Sequence, residues 1–399
     1  MSNTLTRLPL LTRLGEKDIA FLVSAGTAPR ISLYLPLDKS WREPLEDKVL
    51  LRDLRRNAVR LLEVRDVPPS AMEALLAPLD SLLSEPDASH FQGQGLALFT
   101  DGNQAVMLLL PSTPAPMVQV DVRFRLDGVL TQIQGRDRYA LLSLSQHSVH
   151  LWDCDGLGIR EIPLTGLETD IRRTQHYQEA EYQSMFHTNS AGHHGNRSHG
   201  EDSGHYSTGP GDGKGIKKEI ESFFRMIDHG IQALLPAGGL PLVLAGVGFL
   251  LPIYRRVNTY PALLQNELPG SSEALGSVEN LHLRANALLQ ERERAIRNQA
   301  LGIYVENLTR SRSCAGYTDL VPCACQSRLT HLFVAQGQAQ WGAYDTATGR
   351  TTLYDAYRPG AEDLANLACV SAVQAKASAY ALPVGELPAG ADIAGLYRS

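Results

Sequence analysis

HTNSAGHHGNRSHGEDSGHYSTGPGDGKG, residues 187–215, runs straight into IKKEIESFFRMIDHGIQAL, residues 216–234. The first stretch holds eight Gly and five His but no Leu, Ile, Val, Phe or Met, so little apolar burial can offset the entropy of ordering it. The second places Ile220, Phe223, Phe224, Ile227, Ile231 and Leu234 on one face of an amphipathic helix. Loops this long inside a compact domain are usually functional or disordered. Leu242-Val-Leu-Ala245, beyond the helix, reads as a buried strand. Upstream, Tyr139-Ala-Leu-Leu-Ser-Leu144 and Val149-His-Leu-Trp152 flank the polar turn Ser145-Gln-His-Ser148 and predict a hairpin, with Ile159 to Ile162 as a third strand. These elements define a middle segment, 128–257.

On the amino-terminal side, segment 1–127 begins with the strand Ile31-Ser-Leu-Tyr-Leu35, stopped by Pro36. Ser40-Trp-Arg-Glu43 has capping-box spacing, and Leu50, Leu54, Ala58, Leu61 and Leu62 follow at helical intervals. A second helix, Ser70 to Leu83, precedes three strands, Gly95 to Phe99, Ala105 to Leu110 and Met117 to Val122. On the carboxyl side, segment 258–399 opens with a polar connection, Asn258 to Pro269. A helix marked by Val278, Leu281, Ala285 and Leu288 continues through Ile296. Strands are predicted at Leu329 to Val334, Trp341 to Tyr344, Thr351 to Tyr354 and Ser378 to Leu382, with a helix from Glu362 to Ala375 between the last two. Helices alternating with strands predict an α/β sandwich here and an α/β (α+β) fold throughout.

The length, 399 residues, suits two to three domains at about 150 residues each. With 43% apolar and 20% charged residues the composition is that of a globular protein, not of a disordered or fibrous one. The longest apolar run, Pro241 to Ile253, is too short to span a bilayer, and the amino terminus has no signal-peptide pattern. Five cysteines, an odd number, make a poor disulfide framework, so a cytoplasmic location is expected. The net charge of −6 excludes a wholly basic nucleic-acid-binding surface but not a local basic patch.

Residue types in the chain match four chemistries in part. Gly209-Pro-Gly-Asp-Gly-Lys214-Gly215 leads into a helix as a phosphate loop does. However, Thr208 replaces the first Walker glycine and Gly215 the magnesium-binding hydroxyl, so a hinge is the simpler reading. His187, His193, His194, His199 and His205 are possible metal ligands, but their spacing is irregular, and no designed metal site or cofactor is expected. Cys314, Cys323, Cys325 and His331 likewise read as packing residues. Nothing forces Asp153, Asp155, Glu161, Glu168 and Asp170 into a catalytic pair. The local basic patches are Arg52, Arg55, Arg56 and Arg60 on the first long helix, and Lys214, Lys217 and Lys218. These lysines sit at a helix start, where the dipole disfavours cations and an anionic partner would relieve them.

In arrangement the chain resembles the bacterial relatives of the archaeal-eukaryotic class one release factor and of Pelota. The resemblance is carried by Ile31-Ser-Leu-Tyr-Leu-Pro36, Gly95-Leu-Ala-Leu-Phe99, Tyr139-Ala-Leu-Leu-Ser-Leu-Ser145, the glycine-histidine loop and Glu219-Ile-Glu-Ser-Phe-Phe-Arg-Met-Ile-Asp228. Tyr317-Thr-Asp-Leu-Val-Pro322, Arg328-Leu-Thr-His-Leu-Phe-Val334, Glu362-Asp-Leu-Ala-Asn-Leu-Ala368 and Ala379-Tyr-Ala-Leu-Pro383 add to it. The resemblance implies three domains, with an RNase H-like middle domain and a carboxy-terminal α/β sandwich similar to kink-turn-binding ribosomal proteins. It also implies a ribosomal partner, contacted at rRNA in the A site, and a translational GTPase such as elongation factor Tu; neither DNA nor a membrane is expected. Loop 187–215 stands where the release factor carries Gly-Gly-Gln, but Gly192-His-His194 is the nearest triplet, and no Asn-Ile-Lys-Ser stretch occurs. Both departures favour a factor for idle or stalled ribosomes over a termination enzyme, with no catalytic residue. A hydrolase of peptidyl-tRNA or RNA and a metal-handling protein are the alternatives. The expected rRNA contacts are His193, His194, Gly195, Arg197, His199, His205, Tyr206, Lys214, Lys217 and Lys218, with Arg52, Arg55 and Arg56.

Overall fold

Apolar runs too short for helices become strands β1 (Leu10–Leu11), β2 (Arg30–Pro36), β3 (Gly95–Thr100), β4 (Ala105–Leu110) and β5 (Met117–Asp121), one sheet in the order β1-β4-β3-β2-β5. The computed structural model describes residues 9–37, 46–84, 93–145, 148–173, 212–236, 239–270, 277–308 and 313–398. All pairings in this sheet are antiparallel except β1 with β4. β2 and β3 bury nearly every side chain, which is why they read as unbroken apolar runs. The β3–β4 turn is closed by Asp101, whose carboxylate accepts the N–H groups of Asn103 (2.9 Å) and Gln104 (2.8 Å), and by Gly102 at φ 86°.

Helices α1 (Glu16–Leu22), α2 (Glu46–Glu63) and α3 (Pro69–Leu83) accompany this sheet. α2 buries Leu51, Leu54, Ala58 and Leu62; the expected Leu50 and Leu61 are only partly covered, because the buried stripe is rotated by one residue. The Ser40–Glu43 capping box lies outside the described residues. A short helix, α4 (Leu130–Ile133), follows β5.

Packing divides the chain into two compact units, 1–137 with 292–399, and 138–291. In the second unit β6 (Tyr139–Leu144), β7 (Val149–Cys154) and β8 (Ile159–Ile162) form an antiparallel meander. Helix α5 (Asp212–Leu234) leads to β9 (Leu242–Gly246), parallel to β6. Helix α6 (Leu250–Val257) then leads to β10 (Leu263–Pro269), parallel to β9. The order β10-β9-β6-β7-β8 is therefore five, four, one, two, three in sequence, with the second strand reversed, the RNase H-like arrangement expected. Period-two alternation sorts the core. Ala140, Leu142, Leu144, Leu242 and Leu244 face Ile220, Phe223, Phe224, Ile227 and Ile231 of α5 and Leu251 and Tyr254 of α6. Tyr139, Leu141, Val243 and Ala245 face Leu281, Ala285 and Leu289 of α7 (Val278–Glu306). The expected polar connection 258–269 thus contains a strand. β10 is an edge strand with exposed Gln265 and Asn266, so its sequence lacks the apolar run of a central strand.

The carboxyl-terminal part of the first unit is the expected α/β sandwich. β11 (Ser313–Ala315), helix α8 (Tyr317–Cys325), β12 (Leu329–Ala335), β13 (Trp341–Asp345), β14 (Arg350–Leu353) and β15 (Glu362–Asp363) lead to α9 (Leu364–Gln374). β16 (Ser378–Leu382) and β17 (Ile393–Tyr397) complete it. The larger sheet runs β11-β17-β12-β16, the smaller β14-β13-β15. On one face Phe333, Tyr380, Ala394 and Leu396 meet Ala300 and Tyr304 of α7. On the other, Leu332, Val334 and Ala379 join α8, α9 and the amino-terminal Tyr34, Phe99 and Phe124 in one continuous core. The helix expected from Glu362 begins at Leu364, because Asp363 caps it by accepting the Ala365 N–H (3.1 Å). At this junction Arg125, almost wholly buried, donates to Asp127 (2.9 and 3.0 Å), Gln119 (2.8 Å) and the Gln338 carbonyl (2.8 Å).

Candidate functional site

α5 is the element that connects the glycine-histidine segment to a fixed scaffold. Its apolar face is clamped to the sheet, and its orientation is set by Asp228, a carboxylate 3% exposed. Asp228 accepts the Thr259 N–H (3.1 Å) and hydroxyl (2.5 Å), the Gln232 amide (3.1 Å) and the Tyr254 hydroxyl (3.3 Å). Burial beside this carboxylate pushes the Tyr254 hydroxyl far above its ordinary pKa, so it remains a donor. Gly230 has no side chain because a Cβ there would stand 2.3 Å from Leu167, which packs against the helix.

The opposite flank of α5 is polar and basic. Positions 214, 217, 218, 221 and 225 fall on one side of a helix. Lys217 and Lys218 are exposed. Glu221, mostly covered, pairs with Arg225 one turn later (3.6 Å) and with Arg256 of α6 (2.8 Å). One carboxylate thus serves two guanidiniums, and with the two lysines the surface carries a net positive charge. A positive flank beside a helix start, where backbone N–H groups already favour anions, has the electrostatics that anions prefer.

The expected contact residues distribute as follows. His193, His194, Gly195, Arg197, His199, His205 and Tyr206 lie outside the described residues. Lys214 lies in the first turn of α5, with Lys217 and Lys218 on the next. Arg52, Arg55 and Arg56 belong to the first unit. Arg52 is exposed, whereas Arg55 makes a two-pronged ion pair with Asp80 of α3, with one contact at 3.0 Å, and Arg56 pairs with Asp53 (2.9 Å). Arg55 therefore also ties α2 to α3. Arg225 and Arg256 were not singled out in the sequence. Arg225 was legible as the i+7 neighbour of Lys218, but Arg256 joins only through the packing of α6 on α5.

The middle-segment acids are held in local structure. The Asp155 carboxylate accepts the N–H groups of Leu157 (2.9 Å) and Gly158 (3.0 Å), and Glu168 accepts that of Asp170 (3.0 Å). Glu161 pairs with His150 (2.8 Å), and Asp153 with Arg138 (3.5 Å). Cys314 is buried, and its thiol is pushed up to about 11; Cys325 contacts Ser371 (3.6 Å). Among the described residues no group of three or more His, Cys, Asp or Glu could hold a metal ion, and no helix is long and apolar enough to cross a membrane.

Residues 139–291, almost the whole second unit, match the model of bacterial archaeo-eukaryotic release factor family 7. The match is confined to this region of the chain. Among solved structures it is similar to an archaeal translation termination factor, aRF1 (14% identity, 97% of this chain and 99% of that one, TM-score 0.22). It is also similar to Archaeoglobus fulgidus Pelota (12%, 76% and 78%, TM-score 0.31). A third is S. cerevisiae Dom34, a translation termination-like factor interacting with Hbs1 (10%, 77% and 74%, TM-score 0.37). No curated protein matches.

Proposed function

We propose that this chain is a non-enzymatic cytoplasmic factor that occupies the A site of idle or stalled ribosomes, in dormancy or rescue, without releasing peptide. One observation carries the reading: the family-matched unit fixes α5 rigidly, while the segment feeding that helix lacks Gly-Gly-Gln and instead offers His193, His194, Arg197, His199 and His205 as hydrogen-bond donors. Lys214, Lys217 and Lys218, with Arg225 and Arg256, supply phosphate contacts beside it. The first unit contributes Arg52, Arg55 and Arg56, and its carboxyl-terminal part meets a translational GTPase such as elongation factor Tu.

Three measurements test this. The protein should co-sediment with 70S ribosomes from stationary-phase cells, with affinity falling steeply as salt rises. Ribosomes carrying peptidyl-tRNA should keep their ester when it is added; cleavage within minutes would establish a hydrolase instead. Replacing residues 189–213 by a short Gly/Ser linker should weaken ribosome binding by about ten-fold, or about 1.4 kcal/mol. Unchanged affinity would make that segment a passive linker.

A further inference from the structure

The first unit carries an aromatic and guanidinium cluster. Arg65, just beyond α2, places its guanidinium 4.0 Å from the Tyr357 ring centroid and 5.6 Å from that of Trp341. The two rings meet edge to face, 5.2 Å apart at 79°. The Tyr354 N–H donates to the Trp341 carbonyl (2.9 Å), and the Gln340 amide donates to the carbonyls of both Trp341 (2.9 Å) and Tyr354 (3.0 Å), so these aromatic residues are held side by side. Arg358, exposed, lies 3.7 Å over the Tyr354 ring. All three rings remain partly open to solvent.

Some covered arginines of this unit are matched with carboxylates, Arg123 with Glu362 (2.8 Å) and Arg125 with Asp127 (2.9 Å), whereas Arg30 and Arg136 lie over the rings of Phe124 and Tyr380 and spend donors on Ser24 and the Ala379 carbonyl. Among the described residues neither Arg65 nor Arg358 makes an ion pair at contact distance, although the Asp121 charge acts on Arg65 from further off. Arg65 spends one donor on the Leu61 carbonyl (3.0 Å), and burial depresses its pKa. A partly desolvated guanidinium with most of its five donors unspent suits an incoming anion. Flat rings and flat guanidiniums alternating over one surface suit stacked bases joined by phosphates better than a peptide carboxylate, which would use the charges and leave the rings idle.

We propose that Arg65, Trp341, Tyr354, Tyr357 and Arg358 form a binding site for single-stranded RNA, the rings stacking bases and the two guanidiniums taking phosphates. The site is independent of α5, so it stands or falls separately from ribosome binding through the second unit.

The test uses the full chain and a fluorescein-labelled oligouridylate of about twelve nucleotides, within the range such sites cover. Anisotropy should report saturable binding, with log affinity falling against log salt at a slope of about −1.4 for two phosphates on a single strand. Stacking on Trp341 should quench tryptophan fluorescence, and Trp341→Leu, which leaves no ring to stack on, should remove the quench and weaken binding. The surface variant Arg358→Ala with Tyr354→Leu should bind at least ten-fold more weakly while melting at the wild-type temperature. No saturable binding, equal affinity of that variant and wild type, or displacement of the RNA by a polyglutamate peptide at equal concentration would each overturn the assignment.

Discussion

Asp228→Ala removes the carboxylate that anchors α5 and leaves its partners behind. The Thr259 N–H and hydroxyl, the Gln232 amide and the Tyr254 hydroxyl all lose their acceptor. Gln232 and Thr259 reach solvent, so their losses cost little; the buried Tyr254 hydroxyl does not. Stranding a buried donor costs about 1–3 kcal/mol, and a hydrogen bond to a charged group contributes about 1.5–3. One stranded donor sets the expected destabilisation of the second unit at about 2 kcal/mol. Urea denaturation followed by the fluorescence of Trp152, 4% exposed in the same unit, reads it directly, in a Trp41→Phe, Trp341→Phe background. Thr259→Ala alone should cost about 1 kcal/mol, and the double variant less than the sum, because the two residues share one interaction. A loss below about 0.5 kcal/mol for Asp228→Ala, or strict additivity, would refute the view that this carboxylate holds the helix.

In the first unit, Arg125→Met should cost about 3–5 kcal/mol in denaturant melts, because Asp127 and Asp363 are left buried without their counter-charge; a change under about 1 kcal/mol would mean water replaces it. Burial raises the Asp121 carboxyl to about 6, above its ordinary value. A carboxyl raised on folding binds its proton more tightly in the native state, so its contribution to stability grows as pH falls from about 6 toward 4 and is lost as pH rises through 6. Comparing wild type with Asp121→Asn over that window should show this slope vanish in the variant. Substituting Lys214, Lys217 and Lys218 by Ala should lower the salt slope of ribosome binding by about two to three, one per phosphate contact, and weaken affinity most at higher salt. After chelation and dialysis the protein should carry less than one equivalent of zinc and melt unchanged; a stoichiometric metal whose removal costs stability would promote the metal-handling reading.

Local pattern alone determined most elements and the polarity of α5. Apolar residues every three to four positions can bury only as a helix face, and runs such as Gly95–Thr100 are too short to be anything but strands. The absence of Gly-Gly-Gln and the crowding of lysines at a helix start were equally legible, since both are statements about residues close in sequence. Tertiary structure decided what depends on distant partners. β10 reads as a polar connection because an edge strand needs only one neighbour and exposes its other side. Asp228 and Arg256 gain their roles only when α6 folds back onto α5, and Arg55 proves to serve α3 as well as solvent. The Arg65 cluster draws on residues 65, 341, 354, 357 and 358. No periodicity links positions so far apart, because only closure of the shared core between the two ends of the chain brings them to one surface.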